Sequence, residues 1–331
     1  MNCLCCGKPI KPDSPENASG WHNSCVRRFF GTKKLPDIDM SAEVLEALAQ
    51  ESTNQGFTIP GVQKKLSLHL TQGQKPRLTL VNYPTGFILK PQTAEYPALP
   101  EAEYLVMRMA AACGIKTVPF ALVRIPAQGN SLAYITRRID RSLPKTDGGE
   151  IELLAMEDFC QLDGRLTADK YHGSYERCAK IISRYSSRPG IDLSELFLRV
   201  AFSFVVGNSD MHLKNFSLVE TACGREEYVL SAAYDMLPVN TILPEDTEQL
   251  ALTLNRKKRN VRRKDLLTYA EAIGIPRASA EKLLAQLIAK EALFVALCRE
   301  SYLPDGMKAA LETLIVERLA SISRVSQGSS L

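Results

Sequence analysis

Short, strand-like segments fill the first half of the chain, and long segments with a helical period fill the second half. Apolar residues at every second position predict strands, whereas apolar residues three and four positions apart predict helices. The strands predicted in the first half are 66–70, 87–91, 118–125 and 132–136, with helices at 41–52 and 100–114. From Met156 onward the pattern predicts mainly helices, at 193–206, 263–273, 278–298 and 306–322. The sequence therefore predicts an α+β protein in which a strand-rich lobe precedes a helical lobe.

The helix predicted at 193–206 leads into a loop with the residue types of a phosphoryl-transfer site. Asp192 and Glu195 have the spacing of a capping box, which predicts that the helix begins directly after Asp192. In the loop, Asp210 and Asn215 have the spacing D-x-x-x-x-N of a kinase catalytic loop. A carboxylate can accept the proton of an attacking hydroxyl. A neutral amide oxygen nearby can bind magnesium without adding a second negative charge beside that base.

A further aspartate follows where a kinase needs a second magnesium ligand. The loop is followed by strand-like runs at 216–219 and 228–235, and the second run ends in Asp235. Tyr234, Asp235 and Met236 stand where protein kinases carry Asp-Phe-Gly. The D-x-x-x-x-N spacing alone would also fit a polar loop that caps a helix. The order of loop, strand, turn, strand and aspartate favours the kinase interpretation.

A basic turn in the first half could hold nucleotide phosphates. A glycine with free amides and two adjacent lysines can hold phosphate oxygens. The residues of the turn are Gly61, Val62, Gln63, Lys64 and Lys65. An ordinary hairpin turn with a basic edge explains the same residues, so the turn has little weight by itself.

A lysine and a glutamate of the first half could form the nucleotide-binding pair of a kinase. Lys90 ends the predicted strand at 87–91, where a lysine can contact ATP phosphates. A glutamate in the next helix could orient it. Glu103 is the preferred partner and Glu101 the competitor, while both could instead complement the helix dipole.

The first 34 residues contain two short metal-ligand pairs. Cys3 and Cys6 form one pair and His22 and Cys25 the other, each with two residues between the ligands. Three thiolates and one imidazole favour tetrahedral zinc, and four protein ligands make such a site structural. Cys5 competes with its neighbours for a ligand position. A reduced terminus without metal is the alternative, and the segment is not basic enough to favour nucleic-acid binding.

Composition limits the class of protein. The chain has 331 residues, of which 45% are hydrophobic, and no apolar run reaches the ~20 residues that cross a bilayer. Nine cysteines, an odd number, favour free thiols in a reducing cytoplasm over a disulfide framework. The net charge of +4 does not indicate nucleic-acid binding. The basic run at 256–264 is interpreted as a solvated face, with docking of an acidic partner or RNA as the alternative.

Taken in order, these motifs resemble the HipA family of bacterial serine/threonine kinases, the toxins of HipBA-type toxin–antitoxin systems. The resemblance covers about residues 54–325 and rests on the segments at 58–65, 87–91, 99–103, 137–141, 156–161, 207–217 and 234–235. It implies that Asp210 is the catalytic base, that Asn215 and Asp235 bind magnesium, and that Lys90 binds ATP phosphate. It further implies a phosphate loop at Gly61 to Lys65, a hinge to adenine at Arg137, Arg138 and Ile139, and phosphate or substrate contacts for His212 and Lys214.

Two departures from the family affect what can be carried over. Only about fifty residues precede the phosphate loop, which resembles the shorter HipT-type toxins, whose missing subdomain is a separate small HipS-like protein. The Cys/His head stands in that place. Family members also carry an autophosphorylated serine, or a Ser-Ile-Ser pair, before the loop. Here Thr58 can accept a phosphate and Pro60 cannot, so control at two sites is reduced to one.

The sequence therefore predicts a zinc-ribbon-like head at 1–34, a kinase N-lobe at 35–141 and a helical C-lobe at 142–331. The predicted function is an ATP- and magnesium-dependent toxin kinase. By resemblance it phosphorylates an aminoacyl-tRNA synthetase, acts in the cytoplasm without membrane contact, and meets DNA only through a HipB-like antitoxin. Two alternatives stay open: a kinase of the same fold that acts on another protein or a small molecule without toxicity, and a non-enzymatic zinc-headed partner or DNA-associated subunit.

Overall fold

A computed structural model describes residues 1–38, 65–71, 75–79, 86–126, 129–142 and 151–323. They form two units, each made of two segments of the chain. Unit 1 comprises Met1–Tyr104 and Val118–Glu152, and unit 2 comprises Leu105–Thr117 and Leu153–Leu331. Their mixture of strands and helices confirms the predicted α+β class. Within the described ranges, every helix is too short or too polar to span a membrane.

A six-stranded sheet forms the centre of unit 1, in the order β1-β3-β2-β4-β6-β5. Its strands are β1 (Asp37–Ile38), β2 (Leu66–Thr71), β3 (Arg77–Thr79), β4 (Phe87–Lys90), β5 (Phe120–Ile125) and β6 (Ser131–Arg137). β1 and β3 pair in parallel, and the other neighbouring pairs are antiparallel. In β2, Leu66 and Leu68 are buried and Ser67 between them is exposed, which is the alternation that the sequence indicated.

The N-terminal head packs onto this sheet. It contains helices α1 (Glu16–Ser19) and α2 (Asn23–Phe30). The rings of Phe29 and Phe30 in α2 lie 5.9 and 5.5 Å from the ring of Phe87 in β4. These ring contacts join the head and β4 in one apolar core.

Helix α3 (Leu99–Ala112) begins in unit 1 and continues in unit 2. Short strands β7 (Arg141–Ser142) and β8 (Glu152–Leu153) form a two-stranded ribbon. The three-stranded sheet of unit 2, β11-β10-β9, is antiparallel and consists of β9 (Met156–Asp158), β10 (Ser217–Glu220) and β11 (Tyr228–Leu230).

Helices make up most of unit 2. They are α4 (Phe159–Leu162), α5 (Tyr175–Tyr185), α6 (Pro189–Val206), α7 (Val239–Ile242), α8 (Arg263–Ala272), α9 (Arg277–Ile288), α10 (Glu291–Arg299) and α11 (Asp305–Ser323), with 3₁₀ turns at Thr167–Asp169 and Leu213–Asn215. Helix α6 is buried along most of its length, which agrees with its near-continuous apolar sequence.

Two predicted elements differ from the structure, and a third cannot be compared with it. The helix expected at 278–298 is two helices, α9 and α10, because the backbone of Lys290 (φ −88°, ψ 0°) leaves the helical conformation between them. The strand expected at 228–235 ends at Leu230. The helix predicted at 41–52 lies outside the described residues.

The capping box predicted at the start of α6 is absent from its described N-terminus. The helix begins one turn earlier, with Pro189 in its first turn, so Asp192 is a buried residue inside the helix. Its carboxylate accepts hydrogen bonds from Leu230 N (2.7 Å) and Ser186 Oγ (2.6 Å). Glu195 instead accepts a hydrogen bond from Arg199 Nε at 3.0 Å. Glu195 also accepts a hydrogen bond from Lys116 N at 3.2 Å, so both carboxylates bond to distant parts of the chain.

Helix α6 ends at Gly207, which we predict cannot be replaced by alanine without loss of stability. Its φ is +69°, and an added Cβ would lie 3.0 Å from Leu314 Cδ2 and 3.2 Å from Asn240 Cβ. The left-handed conformation alone costs a Cβ-bearing residue about 1–2 kcal/mol, and crowding adds to it. For Gly207→Ala we therefore expect a free energy of unfolding lower by about 2–3 kcal/mol in urea titrations.

The matched control is Gly190→Ala in the first turn of the same helix. A Cβ there meets nothing within 4 Å. Alanine restricts the unfolded chain more than glycine does, so this variant should be unchanged or more stable by about 0.4–1 kcal/mol. Equal stability of the two variants would contradict the assignment of strain to Gly207.

Candidate active site

The loop after α6 is held by side chains that flank the predicted base. Asn208 Oδ1 accepts a hydrogen bond from Asp210 N at 3.3 Å. Ser209 Oγ donates to Asp246 Oδ2 at 2.6 Å. The backbone oxygen of Met211 accepts a hydrogen bond from the buried Tyr175 hydroxyl at 3.2 Å. The loop therefore presents Asp210 from a fixed backbone, and one third of its side chain is exposed.

Asn215 is tied to the backbone of Asp210. Its Nδ2 donates to Asp210 O at 2.8 Å, and the residue is buried. Because the NH₂ group is used in this bond, the orientation of the amide is set and Oδ1 is its acceptor end. The D-x-x-x-x-N spacing thus forms a loop that is closed by a hydrogen bond from the Asn215 side chain to the Asp210 backbone.

Tyr171, which sequence reasoning missed, donates a hydrogen bond from its hydroxyl to Asp210 Oδ1. Its ring also packs edge-on against His212, with centroids 4.9 Å apart. Burial and the adjacent Asp210 charge raise the pKa of the Tyr171 hydroxyl, which therefore stays protonated at neutral pH. The hydroxyl therefore holds the Asp210 carboxylate from one of its two oxygens.

We predict that Tyr171→Phe slows phosphoryl transfer and leaves ATP affinity unchanged, because the hydroxyl orients the Asp210 carboxylate. A hydrogen bond to a charged group contributes about 1.5–3 kcal/mol, which corresponds to a rate loss of about 10–150-fold. Steady-state kinetics and equilibrium ATP binding would separate the two effects. Tyr185→Phe, at an exposed position on α5, serves as the control. A faster Tyr171→Phe enzyme would mean that the hydroxyl competes with substrate for Asp210.

His212 and Lys214, the predicted contacts to phosphate or substrate, lie beside the base. His212 is buried, and its Nε2 lies 3.9 Å from Asp210 Oδ1. Lys214 Nζ donates to Asp158 Oδ2 at 2.6 Å. The other oxygen of Asp158 caps α4 by accepting from Gln161 N at 2.9 Å. Lys214 is therefore oriented by an ion pair and has further N–H donors.

The segment that carries Asp235 is hydrogen-bonded to two other parts of unit 2. Ala233 N donates to Lys116 O at 2.7 Å. The Tyr234 hydroxyl bonds Ser217 Oγ at 2.5 Å and Lys214 O at 3.2 Å. Asp235 itself has a left-handed backbone with φ +55°, which aspartate tolerates better than most residues. The hydroxyl of Tyr234 thus connects the loop at 207–215 and the strand after it to the Asp235 segment.

In unit 1, Lys90 pairs with Glu103 rather than Glu101. Lys90 Nζ lies 2.5 Å from Glu103 Oε1, and both side chains are almost fully buried. The ammonium also lies 5.2 Å above the Tyr134 ring. Glu101 is part-buried, and burial raises its pKa. Helix α3 and strands β4 and β6 thus hold one buried lysine in a defined position.

The structure describes the predicted hinge but only the last residue of the predicted phosphate loop. Arg137 N and Arg138 N donate to Pro119 O and Gly86 O at 3.0 and 2.9 Å, so these two N–H groups are already used within unit 1. The contact of this segment with adenine stays a prediction. Lys65 is exposed at the start of β2. Thr58, Gly61, Val62, Gln63 and Lys64 lie outside the described residues.

The Cys/His head brings its four predicted ligands together. Ligand atoms of Cys3, Cys6, His22 and Cys25 all lie within 4.8 Å of one another. His22 Nδ1 is 3.4 Å from Cys6 Sγ, and its Nε2 is 3.2 Å from Pro9 O. A carbonyl on one ring nitrogen directs the other nitrogen toward a metal. This donor set and its arrangement fit a tetrahedral zinc ion.

The basic run at 256–264 is partly neutralised by local carboxylates. Lys257 pairs with Asp265 at 2.7 Å and Arg259 with Glu248 at 2.9 Å. These exposed pairs favour the interpretation as a solvated face over a docking surface.

Comparisons with known proteins identify the family of this chain and several relatives. The model of the HipA-like C-terminal domain family matches residues 57–293. A protein named "Putative kinase" from Haemophilus influenzae is 25% identical over 342 residues, which cover 97% of each chain. "Putative kinase Y4mE" of Sinorhizobium fredii is 30% identical over 206 residues, and these span 61% of this chain and 46% of that relative.

A solved structure has the same fold. HipA of Shewanella oneidensis MR-1, determined in a complex with HipB and operator DNA, superposes with a TM-score of 0.67. It is 20% identical, and the match covers 81% of this chain and 65% of that chain. The likeness establishes a HipA-like fold for this protein.

Proposed function

Because the chain belongs to the HipA-like C-terminal domain family, a family that includes kinases by name, we propose that it is an ATP- and magnesium-dependent protein serine/threonine kinase. The observation that carries the proposal is the closed loop of Asp210 and Asn215. In this loop the Asp210 carboxylate is part-exposed. The NH₂ group of Asn215 donates to the backbone oxygen of Asp210, so the amide oxygen of Asn215 is left to act as a ligand.

In this proposal Asp210 is the general base. A substrate hydroxyl donates its proton to the Asp210 carboxylate as its oxygen forms a bond to the γ-phosphorus of ATP and the bond to the β,γ-bridging oxygen breaks. Tyr171 orients the carboxylate. Asn215 Oδ1 and Asp235 would hold Mg²⁺, which when bound neutralises phosphate charge. Lys90, oriented by Glu103, binds the phosphates of ATP.

We further propose that Cys3, Cys6, His22 and Cys25 hold a structural Zn²⁺. Four protein ligands would complete its tetrahedral coordination, so it would take no part in the phosphoryl transfer. The support is the mutual distance of the four ligand atoms and the carbonyl of Pro9 on the second ring nitrogen of His22.

The biological role is proposed by likeness to the Shewanella protein, which was solved with HipB and DNA. We propose that this chain is a toxin that acts in the cytoplasm on a translation component such as an aminoacyl-tRNA synthetase. A HipB-like antitoxin would then be its partner and its route to DNA, and a HipS-like small protein a second partner. Growth arrest on expression, and its loss in an Asp210→Asn variant, would distinguish a toxin from a non-toxic kinase.

The proposed activity is tested by incubation of the purified protein with ATP and magnesium, followed by intact-mass measurement and peptide mapping. We expect ATP binding and a mass increase from autophosphorylation, with Thr58 as the proposed site. A phosphate there adds about −1.5 to −2 charges beside the phosphate loop and is proposed to switch the kinase off. Failure to bind ATP with magnesium would favour the non-enzymatic alternative.

A further inference from the structure

The head attaches to the edge of the unit 1 sheet through both of its ligand pairs. Leu4, next to Cys3, accepts a hydrogen bond at its carbonyl from Leu122 N at 2.9 Å. Trp21, next to His22, donates from Nε1 to Leu122 O at 3.2 Å. Strand β5, which contains Leu122, is the edge strand of the sheet. The head therefore covers a backbone edge that would otherwise be exposed.

The head also contacts the two elements that hold the Lys90–Glu103 pair. Phe29 and Phe30 pack against Phe87, at the other end of β4 from Lys90. Tyr104, the residue after Glu103 on α3, donates a hydrogen bond from its hydroxyl to Cys5 O at 3.2 Å. Cys5 lies between the ligands Cys3 and Cys6, and Phe29 and Phe30 lie on helix α2, which also contains the ligand Cys25.

A continuous series of ring contacts leads from the head to the lysine. The Tyr104 ring packs on Phe120 at 5.6 Å, and Phe120 stacks on Tyr134 at 6.2 Å. The Lys90 ammonium lies 5.2 Å above the Tyr134 ring, within the range of a cation–π contact. A close-packed core transmits displacement of one ring to the next, because it has few voids that could absorb it.

The two helices of the head add little stability of their own. Helices α1 and α2 have four and eight residues, which is too short to be stable alone. A metal that joins residues 3 and 6 to residues 22 and 25 would fix the two ligand pairs relative to each other. Small metal-bound modules commonly depend on the metal for folding.

We propose that zinc in the head controls the nucleotide affinity of the kinase, because it keeps the head docked on β4, β5 and α3 and thereby keeps Lys90 and Glu103 paired. The inference rests on the function proposed above, since ATP binding is one of its two readouts. Zinc loss would then lower ATP affinity without any change in the catalytic loop of unit 2.

The test uses Trp21 as a second readout that does not depend on ATP. It is the one tryptophan of the chain and is 1% exposed, so its emission reports docking of the head. Zinc would be removed from the purified full-length protein by mercurial titration with a chelator and then restored, with Mg·ATP affinity and Trp21 emission measured at each stage. We expect about one zinc per chain, a red shift of Trp21 emission on removal, and a rise in the Kd for Mg·ATP of about tenfold, with recovery on restoration.

Matched variants define the ligand set. Cys6→Ser should lose zinc and show both changes permanently, whereas Cys5→Ser, its neighbour outside the proposed ligand set, should keep zinc and wild-type values. Removal from the wild-type protein keeps the test valid if Cys6→Ser does not fold. Freshly purified protein without zinc, or zinc removal that changes neither readout, would overturn the proposal. If zinc-loaded protein binds no ATP, the kinase proposal and the nucleotide part of this inference both fail. The docking part is tested separately by Trp21, and unchanged Trp21 emission on zinc removal would overturn it.

Discussion

Replacement of Asp210 by asparagine is expected to abolish phosphoryl transfer while ATP binding stays at its wild-type level. The exchange keeps the shape of the side chain and an oxygen that can accept the Tyr171 hydrogen bond. It removes the negative charge that accepts a proton from the substrate hydroxyl. Loss of a general base lowers the rate by about 10²–10⁴-fold. Incorporation of labelled phosphate and equilibrium binding of Mg·ATP would measure the two properties separately.

Asp169→Asn is the control for the loss of one negative charge in the same region. Asp169 pairs with His172 at 3.1 Å on a part-exposed surface and has no place in the proposed chemistry. We expect that variant to retain near-wild-type turnover. If Asp210→Asn also turned over normally, the base would have to be another residue, and the interpretation of residues 207–215 as a catalytic loop would be lost.

The part of the site that could be predicted from the sequence is the part within one short segment. Asp210 and Asn215 are close in the chain, so a loop of that length brings them together regardless of the rest of the fold. The contact between Tyr171 and Asp210 spans 39 positions. It depends on how the segment before α5 packs on the loop, and a tyrosine in a polar stretch has no periodicity that would reveal such a contact.

The start of α6 shows how a local signal can be misread. Asp192 and Glu195 have the spacing of a capping box, but Pro189 begins the helix a turn earlier. The Asp192 carboxylate accepts a hydrogen bond from Leu230 N and the Glu195 carboxylate accepts one from Lys116 N, partners that only the tertiary structure supplies. The head gave the opposite case. Its ligands were predictable from spacing, whereas its shared core with Phe87 was not, because aromatic residues in a short helix do not indicate their partner.

Replacement of Glu103 by glutamine is expected to destabilise unit 1 and to weaken ATP binding. The exchange removes the negative charge of Glu103 from its ion pair with Lys90, in which both side chains are at most 3% exposed. Removal of one member of a buried ion pair typically costs about 3–5 kcal/mol. Urea titration followed by the emission of Trp21, which lies in unit 1, would measure this loss directly.

Glu101 precedes Glu103 by two residues on α3. The Glu101→Gln variant therefore distinguishes the loss of this ion pair from the loss of any buried carboxylate. Within the described residues, Glu101 Oε2 is buried without a hydrogen-bond partner, and burial raises the pKa of Glu101. An acid whose pKa is raised on folding stabilises the fold while it is protonated, and this contribution is lost as the pH rises through the folded-state pKa. At neutral pH we therefore expect Glu101→Gln to be as stable as the wild type or more stable, with the difference shrinking in acid. If Glu101→Gln were as unstable as Glu103→Gln at neutral pH, the stabilising carboxylate of α3 would have to be reassigned.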